Sequence, residues 1–400
     1  MKLLKKLAIS VAMAATAAFS PANAADTVRF WYHFDNPANP MSDLVAKFEK
    51  ANPDIKIEAE NVPWNSYYDN LYTALVGGSA PDAAMVKLFA QPRLSEMGAL
   101  APLDDRINAW PGKADLLDNL LELNKGADGK QYYLPIQYVV LYLYYRTDLF
   151  EAAGLKPPAT CEDFREAAIK LTKAPNTYGF GLRGGKGGWD QWGAFVFSQG
   201  AELKPGGLTT PQAVAANQWL IDLFQKDKVI PPSAPNDGFQ EIIAAFKTGK
   251  TAMTIHHIGS SKDLVAALGD KVSAVPVPKC SGKQWTSYGD ESLAVFSSSS
   301  VKDAAWKWIS FLAEGENNVA FNTATGQMTV TKSGSADWKL HERRFVDATV
   351  QSLPFAHVLP QSSGTSEFVN TAWQTAMQQA LTGQTTSQQM MEQLNTLFAQ

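Results

Sequence analysis

The spacing of hydrophobic positions in the first ninety residues predicts alternating strands and helices. Apolar residues at 28–32, 55–59 and 83–86 have the alternation or the short buried run of strands. Between them, apolar residues recur at helical spacing over 44–51 and 68–75. The order strand, helix, strand, helix, strand favours a mostly parallel sheet covered by helices.

A long apolar segment separates this series from a second one. Residues 132–145, YYLPIQYVVLYLYY, fit a strand buried on both faces that crosses between domains. Thr160 with Asp163 predicts a capped helix start, and Thr210-Pro211 begins another helix. Further elements are a helix over 239–246 closed by Gly249, strands at 251–255 and 272–277, a loop, a strand at 293–296, a helix over 305–312 and a helical C-terminal part.

Aromatic and polar side chains gather at the predicted ends of these elements. Ligands of open α/β sheets lie beyond the carboxyl ends of strands, so we predict a binding site there. Rings that stack on C–H faces, next to charged groups that bond hydroxyls, suit a sugar. Trp64 fits a core position equally well, and Arg183 fits either a turn or a ligand contact in a glycine-rich loop. The predicted residues are Trp31, His33, Asp35, Asn36, Trp64, Lys87, Phe89, Gln137, Tyr138, Arg183, Trp189, Trp192, His256, His257, Gly289, Asp290 and Glu291.

Motifs that suggest other chemistry lack the context they need. GFGLRG at 179–184 has neither the preceding strand nor the helix start of a dinucleotide site. His256 and His257 are adjacent, so on a strand they point to opposite faces and do not readily share a metal. The adjacent Asp290 and Glu291 are unlike the separated carboxylates of a glycosidase. We therefore predict no catalytic residue, no metal and no cofactor.

The first 24 residues have the pattern of an export signal. Three lysines precede an apolar stretch at 7–19, and Ala22-Asn23-Ala24 offers a cleavage site after Ala24. The mature chain is therefore expected in the periplasm, where the only two cysteines, Cys161 and Cys280, form either a disulfide or two buried thiols. Neither cysteine lies near the cleavage site, so no lipid anchor is expected.

Charge and length narrow the function further. Without the three lysines of the signal, 32 basic residues face 39 acidic ones, a net charge of about −7. Such a chain is a poor partner for nucleic acid or an anionic membrane. The remaining 376 residues suggest two domains.

Several segments together resemble the extracellular solute-binding proteins of carbohydrate ABC transporters, the family that includes maltose-binding protein. They are FEKANPDIKIE (48–58), ALVGGSAPDAAMV (74–86), MGALAPLDD (97–105), LYYRTDLFEAAGLKPPATCEDF (143–164), FKTGKTAMTI (246–255) and KDAAWKWISFLAEGENNVAF (302–321). The chain departs from the family at Cys161, where relatives often carry tryptophan, and in the polar, proline-rich HFDNPANP (33–40), which suggests an unusual ligand.

The resemblance implies an α/β fold of the two-lobed periplasmic-binding-protein type (class II). Each lobe would be a mainly parallel sheet flanked by helices, joined to the other by a hinge. The chain would cross near 137–141, near 275 and near 331, giving lobes of 25–138 with 276–331 and of 139–275 with 332–400. A monomeric receptor would hand its solute to membrane permease subunits.

The family leaves the solute open between sugars and sugar phosphates or glycerol phosphates. An anion could be bound by His33, Lys87, Arg183 and His256. It would be repelled by Asp35, Asp290 and Glu291 unless these face away, so a neutral mono- or oligosaccharide is favoured. A function of another class is a secreted carbohydrate-active enzyme that uses Asp35 or Glu291 as acid or base.

Overall fold

A computed structural model describes residues 25–34, 39–335, 341–360 and 362–398. The predicted export signal and the predicted site residues Asp35 and Asn36 lie outside these residues. Among the helices described, none has the length and apolar character needed to cross a membrane.

The described strands form one mixed sheet. Its central order is β2-β1-β3-β8-β4-β6-β5, with β9 and β7 on β4 and β10 on β8. The strands β1, β2 and β3 are parallel, as the sequence predicts, and β8 is antiparallel to both β3 and β4. Their bounds are β1 Asp26–Tyr32, β2 Ile55–Asn61, β3 Ala83–Val86, β4 Leu134–Arg146, β5 Tyr178–Gly181, β6 Thr251–His257, β7 Val272–Val275, β8 Thr286–Val295, β9 Met328–Thr329 and β10 Ala356–His357.

Helices cover the sheet, and two of them begin at the side-chain caps that the sequence predicts. Thr160 forms a capping box with Asp163, and the Thr210 side chain accepts a bond from the amide of Ala213. The α-helices are α1 Met41–Ala51, α2 Tyr67–Val76, α3 Gln91–Glu96, α4 Asp104–Ala109, α5 Asp118–Leu123, α6 Thr147–Ala152, α7 Cys161–Leu171, α8 Trp189–Val196, α9 Pro211–Gln225, α10 Phe239–Lys247, α11 Ser261–Leu268, α12 Lys302–Ala313, α13 Gly315–Thr325, α14 Lys332–Ser335, α15 Arg343–Ser352, α16 Ser363–Glu367, α17 Trp373–Leu381 and α18 Ser387–Asn395.

The long strand β4 joins the two halves of the sheet. Residues 134–140 pair with β8, whereas residues 141–146 pair with β6 and β7. All but two of the thirteen side chains are buried, as expected for a strand covered on both faces. The change of partner falls within the crossing expected near 137–141.

Two predicted loops are wrong, because the site residues assigned to them lie on a strand and on a helix. The segment before residue 293 is not a loop, because β8 already begins at Thr286 and carries Gly289, Asp290 and Glu291 in its middle. Gly289, Asp290 and Glu291 line a cavity, so this part of β8 is polar and lacks the apolar pattern by which a buried strand is recognised. Trp189 and Trp192 lie on α8 rather than in the glycine-rich loop.

Cys161 and Cys280 form a disulfide with their Cα atoms 5.1 Å apart. Cys161 is the first residue of α7, and Cys280 lies in the segment that leads from β7 to β8. Both residues are buried. The bond therefore ties this connecting segment to the helix.

Removing the disulfide is expected to lower the free energy of unfolding by about 2–5 kcal/mol, because it closes a loop of 119 residues in the unfolded chain. The double variant Cys161→Ser/Cys280→Ser leaves no unpaired thiol, and urea unfolding measures the change. Equal unfolding midpoints for the variant and the native protein would contradict the expectation.

Candidate functional site

A cavity of about 580 Å³ opens where the two halves of the sheet meet. His33 and Lys87 follow the last residues of β1 and β3, and His257 ends β6. Gln137 and Val139 of β4 form part of its wall between the two halves. The cavity thus lies at the carboxyl ends of strands, where the sequence places the site.

Most of the predicted site residues meet in this cavity. Its lining includes His33, Trp64, Lys87, Phe89, Gln137, Arg183, Trp189, His256, His257, Gly289, Asp290 and Glu291. Three other predicted residues lie outside its wall. Trp31 packs into the cluster around α2, and Tyr138 stacks on Tyr288 with ring centroids 6.2 Å apart. Trp192 is fully buried in the core, where its indole N–H donates to Asn217 at 2.7 Å.

The reason for these three exceptions is local geometry. Alternate side chains of a strand face opposite sides, so Gln137 and Val139 line the cavity while Tyr138 does not. On α8, Trp189 is the first residue and stays at the cavity wall, while Trp192 lies one turn deeper. Sequence spacing alone gives no signal for which of the two tryptophans reaches the ligand.

Glu291 joins two strand ends through a charged network. Its carboxylate accepts bonds from the Lys87 ammonium and, at 3.1 Å, from His33 Nε2. Burial acts to raise the pKa of Glu291, but His33 and Lys87 outweigh it and hold the pKa below its ordinary value. This carboxylate is charged, held in place and able to accept hydrogen bonds from the hydroxyl groups of a ligand.

Asp290 lines the cavity, but both oxygens of its carboxylate are bonded to the protein. One carboxylate oxygen accepts from the amide of Leu88 at 3.0 Å and the other from the Ser292 hydroxyl at 2.8 Å. Burial raises its pKa to about 6. Asp290 therefore fixes β8 against the chain that follows β3.

Arg183 lies beyond the end of β5 and is only 8% exposed. Its amide donates to the Gln191 side chain at 2.8 Å, which holds the loop against α8. Gly188 makes this loop possible, since a Cβ there would lie 1.6 Å from the Arg183 carbonyl oxygen. Burial lowers the pKa of Arg183, although Asp190 and Glu241 act in the opposite sense.

The sequence predicts that the adjacent His256 and His257 point to opposite faces of a strand, and this prediction is wrong. Their ring centroids are 4.1 Å apart and both line the cavity, because the strand alternation ends where a 3₁₀ turn begins at Ile258. His256 Nδ1 lies 2.8 Å from the Ser260 hydroxyl. His257 Nδ1 accepts the amide of Gly259 at 3.1 Å, which leaves Nε2–H as a donor.

His257 is expected to stay neutral from pH 8 down to about pH 4, because burial and the charges of Lys87 and Arg183 lower its pKa to about 3. The unfolded chain takes up this proton first, so the stability that neutral His257 contributes is lost as pH falls from 6.5 towards 3. A pH series of imidazole NMR signals, assigned with His257→Gln, measures this. A midpoint between pH 6 and 7 would contradict it.

Aromatic rings supply the apolar part of the cavity wall. Trp64 lies on one side, 4.8 Å from the His33 ring, and Trp189 on the other, 6.4 Å from Phe368. Phe239, which the sequence assigns to the apolar stripe of α10, also lines the cavity and lies 4.7 Å from His256. Phe239 has the helical spacing of a core residue but lies at the start of α10, where the apolar face reaches the cavity. Its spacing therefore gives no sign that it is a site residue.

One contact spans the cavity mouth. Lys186, from the loop before α8, donates to the Asn65 carbonyl at 2.9 Å and lies 5.9 Å from the Trp64 ring centre. The sequence gives no signal for this pair, because 121 residues separate its members. The contact connects the two sides of the cavity directly.

Fold and cavity define a binding protein with two α/β lobes and a polar, aromatic cleft between them. The model of the family described as bacterial extracellular solute-binding proteins matches residues 35–319, and the chain belongs to this family. The predicted resemblance and the two-lobed fold are thereby confirmed.

Individual relatives agree with this assignment. A Brucella abortus protein named only as a binding protein is 30% identical over 304 residues, 73% of each chain. The mannitol-binding protein of Pseudomonas aeruginosa is 25% identical over 365 residues, 85% of this chain and 80% of that one. An ABC transporter solute-binding protein of Thermotoga lettingae, solved with α-D-tagatose, superposes with a TM-score of 0.83 at 25% identity and covers 94% of this chain and 100% of its own.

Proposed function

We propose that this protein is a periplasmic receptor that binds a mono- or oligosaccharide between its lobes and delivers it to the permease of an ABC importer. The observation that carries the proposal is the combination of Trp64 and Trp189 with the Lys87–Glu291 pair in one cavity. Rings suit the C–H faces of a sugar, and the charged pair suits its hydroxyls. The α-D-tagatose named for one relative is a monosaccharide, and the mannitol named for another is a sugar alcohol with the same kind of hydroxyl groups.

Closure of the lobes would hold the sugar. The lobes are proposed to comprise 25–138 with 276–331 and 139–275 with 332–400. A ligand that contacts both lobes binds the closed form more tightly and shifts the population towards it. The bond between Lys186 and Asn65 would add to this closed form. A micromolar affinity, about −8 kcal/mol, requires only a few directed bonds and ring contacts beyond the ordering cost.

A receptor rather than an enzyme is proposed for the same cavity. A glycosidase requires a carboxylic acid whose pKa is raised so that it can protonate the leaving group. Asp290 and Asp190 line the cavity with pKa values that burial raises to about 6, but their carboxylates already accept bonds from the Leu88 amide, the Ser292 hydroxyl and the Gln191 amide. Glu291 instead has a lowered pKa and is bonded to Lys87 and His33. This state suits hydrogen-bond acceptance and favours binding without turnover.

A sugar panel tests the proposal. A thermal-shift screen first finds sugars that raise the melting temperature, and calorimetry then measures their affinity. Chromatography of the recovered sugar follows. We expect saturable binding of one sugar per chain and an unchanged sugar. Turnover would contradict the receptor proposal, and so would the absence of binding across the panel.

A further inference from the structure

The guanidinium of Arg183 is a buried charge that has no hydrogen-bond or ion-pair partner among the described residues. It lines the cavity, and its Nε is shielded from solvent without a hydrogen-bond partner. Among the described residues, none bonds to any guanidinium nitrogen of Arg183 or brings a carboxylate into ion-pair range. A buried charge without a partner is costly, so the cavity favours a ligand that supplies one.

The other basic side chains of the cavity wall have partners. Lys87 binds Glu291, and Lys247 binds Asp263 at 2.8 Å. Lys186 reaches the Asn65 carbonyl across the mouth. Within the described part of the cavity wall, Arg183 is therefore the cation whose head group has no hydrogen-bond partner.

The acidic groups that line the cavity already accept bonds from the protein. Glu291 is held by Lys87 and His33, and both oxygens of Asp290 accept bonds from the protein. Asp190, next to the loop, accepts from the amide of Gln191 at 2.6 Å. Burial raises the pKa of Asp190 to about 6 despite the nearby Arg183, whereas a close bidentate pair with arginine would lower it.

The loop before α8 holds the guanidinium in place. Gly187 has φ +83°, and a Cβ there would lie 2.6 Å from a terminal nitrogen of Arg183, so the backbone packs directly against the group. The N-terminus of α8 begins two residues later and adds positive potential at the same wall. The planar, fixed fork of donors matches a carboxylate or a phosphate.

We propose that the sugar bound here is acidic, a mono- or oligosaccharide whose carboxylate or phosphate pairs with Arg183. This inference rests on the proposed receptor function and narrows its ligand class. The sequence favours a neutral sugar because Asp35, Asp290 and Glu291 would repel an anion unless they face away. Lys87 offsets the charge of Glu291, and both carboxylate oxygens of Asp290 accept bonds from the protein. These partners answer the objection for Asp290 and Glu291, while Asp35 lies outside the described residues.

Calorimetry with matched probes tests the inference. Each pair differs only in its acidic group: D-glucuronate against D-glucose, D-galacturonate against D-galactose, and glucose 6-phosphate against glucose. We expect at least one acidic probe to bind the native protein about tenfold more tightly than its neutral partner. A tighter uronate identifies a carboxylate ligand, and a tighter sugar phosphate identifies a phosphate ligand.

Variants then assign the effect to the guanidinium. Arg183→Gln is expected to lose about tenfold in affinity for the acidic probe and little for the neutral one, and Arg183→Lys an intermediate amount because it keeps the charge without the fork. Arg343→Gln, at an exposed side chain outside the cavity wall, is the control. Circular dichroism checks that each variant is folded.

The outcomes separate the inference from the receptor function. Neutral sugars that bind as tightly as their acidic partners overturn the inference and leave the receptor standing. An Arg183→Gln variant that weakens both probes equally also overturns it. If no probe of either kind binds and the sugar panel fails, the receptor proposal itself is contradicted.

Discussion

Replacing Glu291 by glutamine is expected to lower the free energy of unfolding by about 3 kcal/mol. The Glu291 side chain is 7% exposed and holds both Lys87 and His33, so its neutralisation leaves the partly buried Lys87 ammonium, 22% exposed, without its anion. Because the same carboxylate faces the cavity, sugar affinity should fall as well. Urea unfolding and calorimetry measure the two effects.

A surface pair provides the matched control for this substitution. Glu316 binds Lys47 but is 82% exposed, so solvent screens the pair and Glu316→Gln should leave the urea unfolding midpoint nearly unchanged. Similar losses in the two variants would show that burial of Glu291 is not what makes its ion pair important.

Trp189→Ala is expected to weaken sugar binding at least about tenfold, equivalent to about 1.4 kcal/mol. The indole lies at the cavity wall where α8 begins, and its removal takes away a flat apolar surface for a sugar ring. Calorimetry with the tightest sugar of the panel measures the change.

Trp306→Ala is the control, because Trp306 packs on Trp110 at 6.1 Å outside the cavity wall. It should leave the affinity unchanged. An unaltered affinity in Trp189→Ala, with circular dichroism like that of the native protein, would mean that other groups hold the sugar.

Local signals in the sequence were sufficient for most of the fold. Thr160 with Asp163 marks the start of α7, and the almost wholly apolar or aromatic run marks β4, because caps and burial act over a few neighbouring residues. The strand β8 was not predictable in the same way. Its polar residues face a cavity formed by distant parts of the chain, so neither alternation nor composition marks it as a strand.

The position of the cavity at the strand ends was predictable from the sequence, whereas the contacts between its side chains were not. His33 and Lys87, predicted from their positions at strand ends, line the cavity because chain direction fixes which edge of the sheet they reach. The role of Asp290 and the cross-cavity contact of Lys186 depend on pairs more than 100 residues apart. Such contacts leave no pattern in a single sequence.

A crystal structure of the complex with the tightest sugar of the panel would show where the ligand binds. We expect one sugar in the cavity between the lobes, with a ring against Trp189 or Trp64 and hydroxyls within hydrogen-bond distance of Glu291. A sugar bound outside this cavity, or a hydrolysed sugar within it, would contradict the receptor proposal.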